Sequence, residues 1–271
     1  MKVGSYSIED SVLRLADASN KKLFSALEKI STGLNINSAS DDAAGLALSE
    51  QLNSSTREAT QSASNSRMEQ AMVQVADSDL SQISDNNDKI RGLALQSANG
   101  TYSSDERQMI QQQVSQLQDQ NDQIAKNSSF NDKKLLDGSA SGTQVMTEQK
   151  APATVTEGFK NASSAALGID NVDVSTPAKA MDLVNKIDTA QQTISQRRSE
   201  LGSVSNALDN NIERQQVTAE NQTAANSTIR DTDVAKQMSE AVNAKIMMSA
   251  AVAMQSQANS TSQSVLGLLR T

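Results

Sequence analysis

Apolar residues return at alternating steps of three and four along most of this chain. Met72, Ala76, Leu80, Ile83, Asn87, Ile90 and Ala94 form one row, and Ile110, Val114, Leu117, Asn121 and Ile124 another. Such spacing places a stripe of side chains on one face of an α-helix. The longest row follows Met181: Val184, Ile187, Gln191, Ile194, Arg198, Leu201, Ser205, Leu208, Ile212, Gln215, Ala219, Gln222, Asn226 and Ile229. A seven-residue repeat sustained over that length specifies left-handed packing against another helix. At about 1.5 Å per residue, the helix is on the order of 70 Å long. Nearly half of its row is polar, so it needs a partner aligned in register. Arg198, a cation inside the row, is expected to set that register against an acid on the N-terminal helices.

Residues 5–33 predict an amphipathic helix carrying Ile8, Val12, Leu15, Leu23, Leu27 and Ile30. Gly33 suits its C-terminal cap. Asn37, Ser38, Ser40 and Asp41 offer N-capping side chains just ahead of "AAGLALSEQL". The turn "SANGTYSSDER" (97–107) separates the next two helices. Residues 128–178 lose the helical rhythm, hold glycines, β-branched residues and Pro152, and predict a small β-hairpin region with loops. The stretch from Asp233 onward is apolar on more than one face and ends in Val265, Leu266, Leu268 and Leu269. The expected fold is mainly α: a long antiparallel coiled-coil-like helical rod, with a terminal helix hairpin and a small β-hairpin region in the middle. Its expected divisions are 1–42 plus 230–271, 43–137 plus 178–229, and a short β and loop region at 138–177.

Composition agrees with narrow apolar stripes rather than one thick core. Of 271 residues, 37% are apolar and 2% aromatic, with no Trp, so a large close-packed interior would be hard to fill. The net charge of −8, without a sustained basic run, argues against nucleic acid as a partner. No apolar run approaches the roughly 20 residues that span a bilayer, so no membrane insertion is expected. The opening "MKVGSYSIEDSVLRLAD" lacks the apolar core of a Sec-type signal peptide.

The absence of Cys and His removes thiolate chemistry, disulfides, the commonest general base and the usual zinc ligand. Asp41 and Asp42 are adjacent carboxylates, but acid–base work needs a pocket that drives their pKa values apart. Placed at a helix start, they are read as capping and dipole-stabilising groups. "SDNND" (84–88) and "DTD" (231–233) lack the spaced ligands of a calcium loop and are read as solvated helix face or turn. Met238, Met247, Met248 and Met254 suit adaptable interface packing better than a cofactor box. Asn127-Ser128-Ser129 is a chance match to a glycosylation motif. No catalytic residue, metal site or cofactor is expected. Instead, two apolar terminal segments flank the long helices, and they are expected to bury themselves against further copies of the chain.

Several stretches then become specific. "ALEKISTGLNINSASDDAAGLALSEQL" (26–52), "IRGLALQSANGTYSSDERQMIQQQVSQL" (90–117) and "SSFNDKKLLDG" (128–138) resemble the N-terminal half of bacterial flagellin. "RRSELGSVSNALDNNIE" (197–213), "STIRDTDVAKQMSEAV" (227–242) and "VLGLLR" (265–270) resemble its C-terminal half. The resemblance implies a structural subunit that polymerises into the flagellar filament for swimming. The terminal segments would form the inner filament core, the long helices the next shell, and 138–177 a reduced outer insertion. Asp41 and Asp42 would then be structural, at the turn into the long core helix. Leu23, Leu27, Ile30, Ile246, Met247, Met248, Val252, Leu266, Leu268 and Leu269 would make the self-assembly core. The terminal segments, 1–35 and 234–271, are expected to fold only on assembly.

The resemblance also implies partners. These are copies of the chain itself, a cytosolic flagellin chaperone on the C-terminal helix, the flagellar type III export apparatus, and cap and hook-associated proteins. The final location would be extracellular. Lys89, Ile90, Arg91, Gly92, Leu93 and Gln113 fall where the animal innate flagellin receptor reads some relatives. Those relatives carry Glu at Gly92, often Glu at Gln113, and commonly Arg at Lys89, so receptor recognition is not carried over. The start "MKVGSYSIED" and Ser262, where many relatives have proline, depart from the family pattern. A hook–filament junction protein shares the terminal helical pattern and is the alternative, less favoured by "DDAAG" and "QSANGT". A flagellin-borne protease would need an H-E-x-x-H zinc motif, which a chain without His does not have.

Overall fold

The computed structural model describes residues 3–140, 143–145, 153–155 and 158–268, with side chains from 10–140, 158–261 and 263–264. The described elements are, in order, α1 Val3–Thr32, α2 Ala43–Ala98, α3 Ser104–Asn127, β1 Ser129–Phe130, β2 Lys133–Lys134, β3 Thr143–Val145, β4 Ala153–Val155, α4 Pro177–Arg230 and α5 Val234–Leu268. The fold is mainly α. β1 pairs antiparallel with β2, and β3 with β4, each as a two-stranded sheet. The chain divides into two compact units, 1–57 with 219–271 and 58–218, so α2 and α4 each supply residues to both.

Helix boundaries follow local chemistry. Thr32 is followed by Gly33 at φ 72°, whose N–H donates to the Lys29 carbonyl at 3.0 Å. That left-handed cap costs glycine little. Ser103 and Glu106 close a reciprocal capping box on α3. Pro177 occupies the first turn of α4, where its missing N–H leaves nothing unpaired.

In the larger unit, α2 and α4 pair antiparallel. As the α2 residue rises from Ser66 through Gln70 and Asp77 to Arg91, its bonded α4 partner falls from Asn211 through Asp209 and Arg198 to Asp188. Every α2 position of the predicted row from Met72 to Ala94 is buried. The α4 row is half corrected. Ile187, Ile194, Leu201, Leu208 and Gln215 are buried as expected, but their companions are Leu183, Ala190, Arg197, Val204 and Asn211. Gln191, Arg198, Ser205 and Ile212, each one residue later, lie at the flank and are half-buried. The cause is a second set of neighbours. The segment 158–176 and the loop after α3 bury Phe159, Ile169, Val174, Leu135 and Leu136 in the same core, which widens the α4 stripe.

Side chains of α3 and α4 hold that irregular segment by its backbone. Gln111 accepts from the Val174 N–H at 2.7 Å and donates to the Val172 carbonyl at 2.6 Å. Gln118 donates to the Ile169 carbonyl, Asp122 accepts from the Ser164 N–H at 2.6 Å, and buried Arg197 donates to the Asn161 carbonyl at 2.9 Å. Buried Arg107 on α3 donates to the carbonyls of Ser97, Asn99 and Tyr102 at the end of α2. A cation there also meets the negative end of the α2 dipole. Within "SDNND", Asn86 and Asn87 are not solvated. Both are buried, and Asn121 of α3 bridges them at 3.0 and 2.9 Å.

Candidate assembly surface

In the smaller unit α1 packs along α5. The chain leaves α1 where it enters α5, so the two helices run antiparallel. Their facing row is built from small and polar residues. Val12, Ser19 and Ala26 are buried on α1, with Gln237, Ala241, Ala244 and Ala251 on α5. This corrects the expected α1 stripe, since Leu15 and Leu27 remain exposed. Small side chains let two helix backbones approach closely, and the large ones are thereby turned outward.

The outward sides carry many large apolar side chains, interspersed with exposed polar ones such as Lys22, Glu240 and Asn243. Phe24 is 66% exposed, Ile246 59% and Val252 61%, and Leu13, Leu27, Val234, Met238, Val242, Met247 and Met254 are exposed with them. Leu23, Ile30 and Met248 are half-buried. Leu266 and Leu268 belong to the last turns of α5, but their side chains, with all of Leu269, lie outside the described residues. The terminal segments are helical in the single chain over Val3–Thr32 and Val234–Leu268. What the single chain leaves undone is the burial of their outer face.

The two turns beside this hairpin are joined. Leu34 and Asp231 form an antiparallel bridge, with Asn35 N–H donating to the Arg230 carbonyl at 2.6 Å and Thr232 N–H to the Gly33 carbonyl at 3.0 Å. Arg230 also reaches the Ile36 carbonyl at 3.3 Å and Glu50 at 3.6 Å. Asp41 and Asp42 divide the work at the start of α2. Asp42 Oδ1 caps the helix by accepting from the N–H groups of Ala44 and Gly45 at 3.0 and 2.9 Å. Asp41 Oδ2 instead gathers the turn, accepting from the N–H groups of Asn37 and Ser38 at 3.1 and 2.9 Å. Those bonds from Ser38 and Asn37 hold the Asp41 carboxyl below its ordinary range. In "DTD", Asp233 caps α5 through the N–H groups of Ala235 and Lys236. Asp41 and Asp42 are both exposed to solvent.

On the larger unit, Lys89, Gly92, Leu93 and Gln113 line a shallow groove between α2 and α3. Ile90 is fully buried beneath it, and Arg91 turns away to Asp188 at 2.7 Å. Among the described residues no cluster of acidic side chains could hold a metal ion. No described helix is long and apolar enough to cross a membrane.

The chain matches the family model of the bacterial flagellin N-terminal helical region over residues 4–141 and that of the C-terminal helical region over 184–269. The chain belongs to the bacterial flagellin family. It is 37% identical over 264 residues to the flagellar filament 33 kDa core protein of Treponema phagedenis, covering 90% of this chain and 91% of that one. It is 34% identical over 278 residues to flagellin of Bacillus subtilis, covering 90% and 91%. The crystal structure of Bacillus cereus flagellin is similar at a TM-score of 0.50 and 27% identity, over 56% of this chain and 88% of that one. A putative flagellar hook-associated protein from Vibrio parahaemolyticus reaches a TM-score of 0.60 at 16% identity, over 70% of this chain and 100% of that one. That second likeness is one of fold alone and gives the hook-associated alternative no advantage. The family is one of structural proteins.

Proposed function

We propose that the chain is a structural subunit that polymerises with its own copies into the bacterial flagellar filament, the propeller of swimming cells. The observation that carries this reading is the inverted hairpin of α1 and α5, with alanine and serine inside and Phe24, Leu27, Ile246 and Val252 outside. An apolar face of that extent is covered by other molecules in a working protein, and a filament supplies copies of the same face. Burying each large side chain contributes roughly 1.5–3 kcal/mol, so a few per subunit drive polymerisation.

In this reading 1–42 and 230–271 form the inner core, 43–137 and 178–229 the surrounding shell, and 138–177 a reduced outer insertion. Leu23, Leu27, Ile30, Ile246, Met247, Met248, Val252, Leu266, Leu268 and Leu269 become the buried core of the filament, while Asp41 and Asp42 fix the turn between layers. The subunit leaves the cell through the flagellar export apparatus, escorted by a chaperone on the C-terminal helix. It meets hook-associated and cap proteins at the filament ends, outside the cell. Electron microscopy of purified chain after addition of filament seeds tests the central claim. Growth of the seeds is expected, and seeds that do not lengthen at any concentration would sink it.

A further inference from the structure

We infer that the methionines of α5 are an oxidation site that controls polymerisation, modified in the free subunit and shielded once it is assembled. This inference rests on the filament-subunit reading above. Met238, Val242 and Ile246 follow one another at four-residue steps on the exposed face of α5. Met247 and Met254, seven residues apart, are also exposed but on the opposite side of the helix from Met238, and Met248 is half-buried. Four of the ten methionines of the chain thus belong to one helix of the apolar hairpin. The chain has no Cys, so methionine is the sulfur that an oxidant reaches.

The chemistry needs only a peroxide, here hydrogen peroxide. A thioether lone pair attacks one peroxide oxygen, the O–O bond breaks, and an S–O bond forms. The sulfur loses two electrons, the proton of the new S–OH group passes to the departing hydroxide, and the products are methionine sulfoxide and water. The sulfoxide turns a flexible apolar side chain into a polar one with a strong acceptor. Met238 stands one helical turn from Val234 and Val242, which carry no donor, so an acceptor buried there against other copies is left unpaired, whereas Met247 lines a groove with Lys22, Lys29 and Asn243. Leaving such a group unpaired on burial raises the concentration needed for growth by about tenfold or more per site.

The larger unit carries its own comparison. Met68, Met109 and Met181 are as exposed as the α5 methionines but lie on α2, α3 and α4. They should react with peroxide at similar rates without being part of the apolar hairpin. Met72, in the core, is protected.

The experiment treats full-length chain with hydrogen peroxide, maps sulfoxides by mass spectrometry and measures elongation of untreated seeds. Treated chain is expected to elongate at least about tenfold more slowly and to recover after methionine sulfoxide reductases. Preformed filaments given the same treatment should keep Met238, Met247, Met248 and Met254 unoxidised. A chain with Met238→Leu, Met247→Leu, Met248→Leu and Met254→Leu should elongate after peroxide, whereas Met68→Leu, Met109→Leu and Met181→Leu should give no protection. Should the α5 variant fail to polymerise even untreated, recovery of oxidised parent chain with the reductases decides the matter. Oxidised chain that elongates normally, an α5 variant as sensitive as its parent, or no recovery on reduction overturns this inference alone. Untreated parent chain that does not elongate seeds overturns the subunit reading and this inference with it.

Discussion

Arg198 on α4 donates through Nε to Asp77 Oδ1 on α2 at 2.8 Å, and its second nitrogen lies 3.5 Å from Oδ2. The hydrogen bonds and charge of Asp77 raise the guanidinium pKa further above its ordinary value. Both side chains are about two-fifths exposed, so water screens the pair and its contribution is about 0.5–1 kcal/mol. Its larger effect is on alignment, because a slip of α4 by one residue would bring Arg197 or Ser199 against the acid instead. Arg198→Leu is expected to leave monomer helicity intact while filaments grow with altered or mixed shape. Circular dichroism with electron microscopy checks this, and a double-mutant cycle with Asp77→Ala should return a coupling of about 0.5–1 kcal/mol. Filaments of normal rate and shape would remove the register role.

Two glycines in α2 should respond oppositely to alanine. A Cβ on Gly45 would lie 2.5 Å from Asp42 Oδ2 and 2.7 Å from Ile36 Cδ1, striking both the capping carboxylate and a buried side chain. Gly45→Ala should cost about 1–2 kcal/mol, since loss of the cap outweighs the helix propensity gained. A Cβ on Gly92 meets nothing within 4 Å, and Gly92→Ala should stabilise by about 0.5–1 kcal/mol. Urea unfolding of the monomer measures both. A gain at Gly45 would mean that the turn yields more easily than these distances allow.

Gly92 and Gln113 also bear on innate recognition. Both line the groove between α2 and α3 with Lys89, and the resemblance implies that receptor-read flagellins carry a Glu in place of Gly92 and often one in place of Gln113. Receptor engagement by the monomer should therefore be weak, and the pair Gly92→Glu and Gln113→Glu should raise it. A cell reporter assay reads the difference. Potency equal to that of a receptor-active flagellin would show that the carboxylates are dispensable.

Acid should loosen the entry to α4 late. The Lys179 ammonium, followed by the hydroxyl and N–H of Ser175, holds the Asp173 carboxyl down to about 2 from an ordinary 3.8. A depressed carboxylate stabilises the fold fully above the unfolded value and loses that contribution as pH falls through the folded one. The contribution is thus intact above about pH 4 and gone below about pH 2. Carboxyl titration by NMR should place the Asp173 midpoint well under that of a free aspartate, and Asp173→Asn should abolish that step. A midpoint near the ordinary 3.8 would mean that the turn is open in solution.

Much of the larger unit was legible because one signal dominates it. Met72 to Ala94 follow a single period and stay buried throughout, although α2 meets both α4 and, at Asn86 and Asn87, α3. The α4 row went wrong by one residue at Gln191, Arg198, Ser205 and Ile212, whereas Val184 is buried as expected. Ala190 and Val204 are more apolar than Gln191 and Ser205, a signal the sequence does contain. Arg197 and Asn211 masked it by being polar and buried. The segment 158–176 was not legible as core, because Gln111 and Gln118 look like solvated helix residues. They act on backbone groups roughly fifty to sixty residues away, which no local pattern encodes. The α1–α5 contact misled for a different reason. Hydrophobic periodicity points to the largest side chains, whereas close helix approach selects the smallest.

That inversion leads to the last expectation, about the stability of the terminal hairpin. Its interior of Ser19, Ala26, Ala241, Ala244 and Ala251 buries little apolar area per residue, against an ordering cost of about 1–2 kcal/mol per residue. Leu27, Ile246 and Val252 are about half exposed and so contribute only part of their burial energy to the single chain. The helices should therefore form but open readily, with free energies far below that of the unit built on Leu80, Ile83, Ile187 and Leu201. Amide hydrogen exchange on the monomer should be fast over α1 and α5 and slow over 72–94 and 183–208. In filaments the terminal helices should gain strong protection as their outer faces go dry. A chain ending at Ile229 should stay helical and fail to polymerise, since it lacks α5 altogether. Terminal helices already as protected as α2 in the monomer, or filaments grown from the shortened chain, would refute this account of what drives assembly.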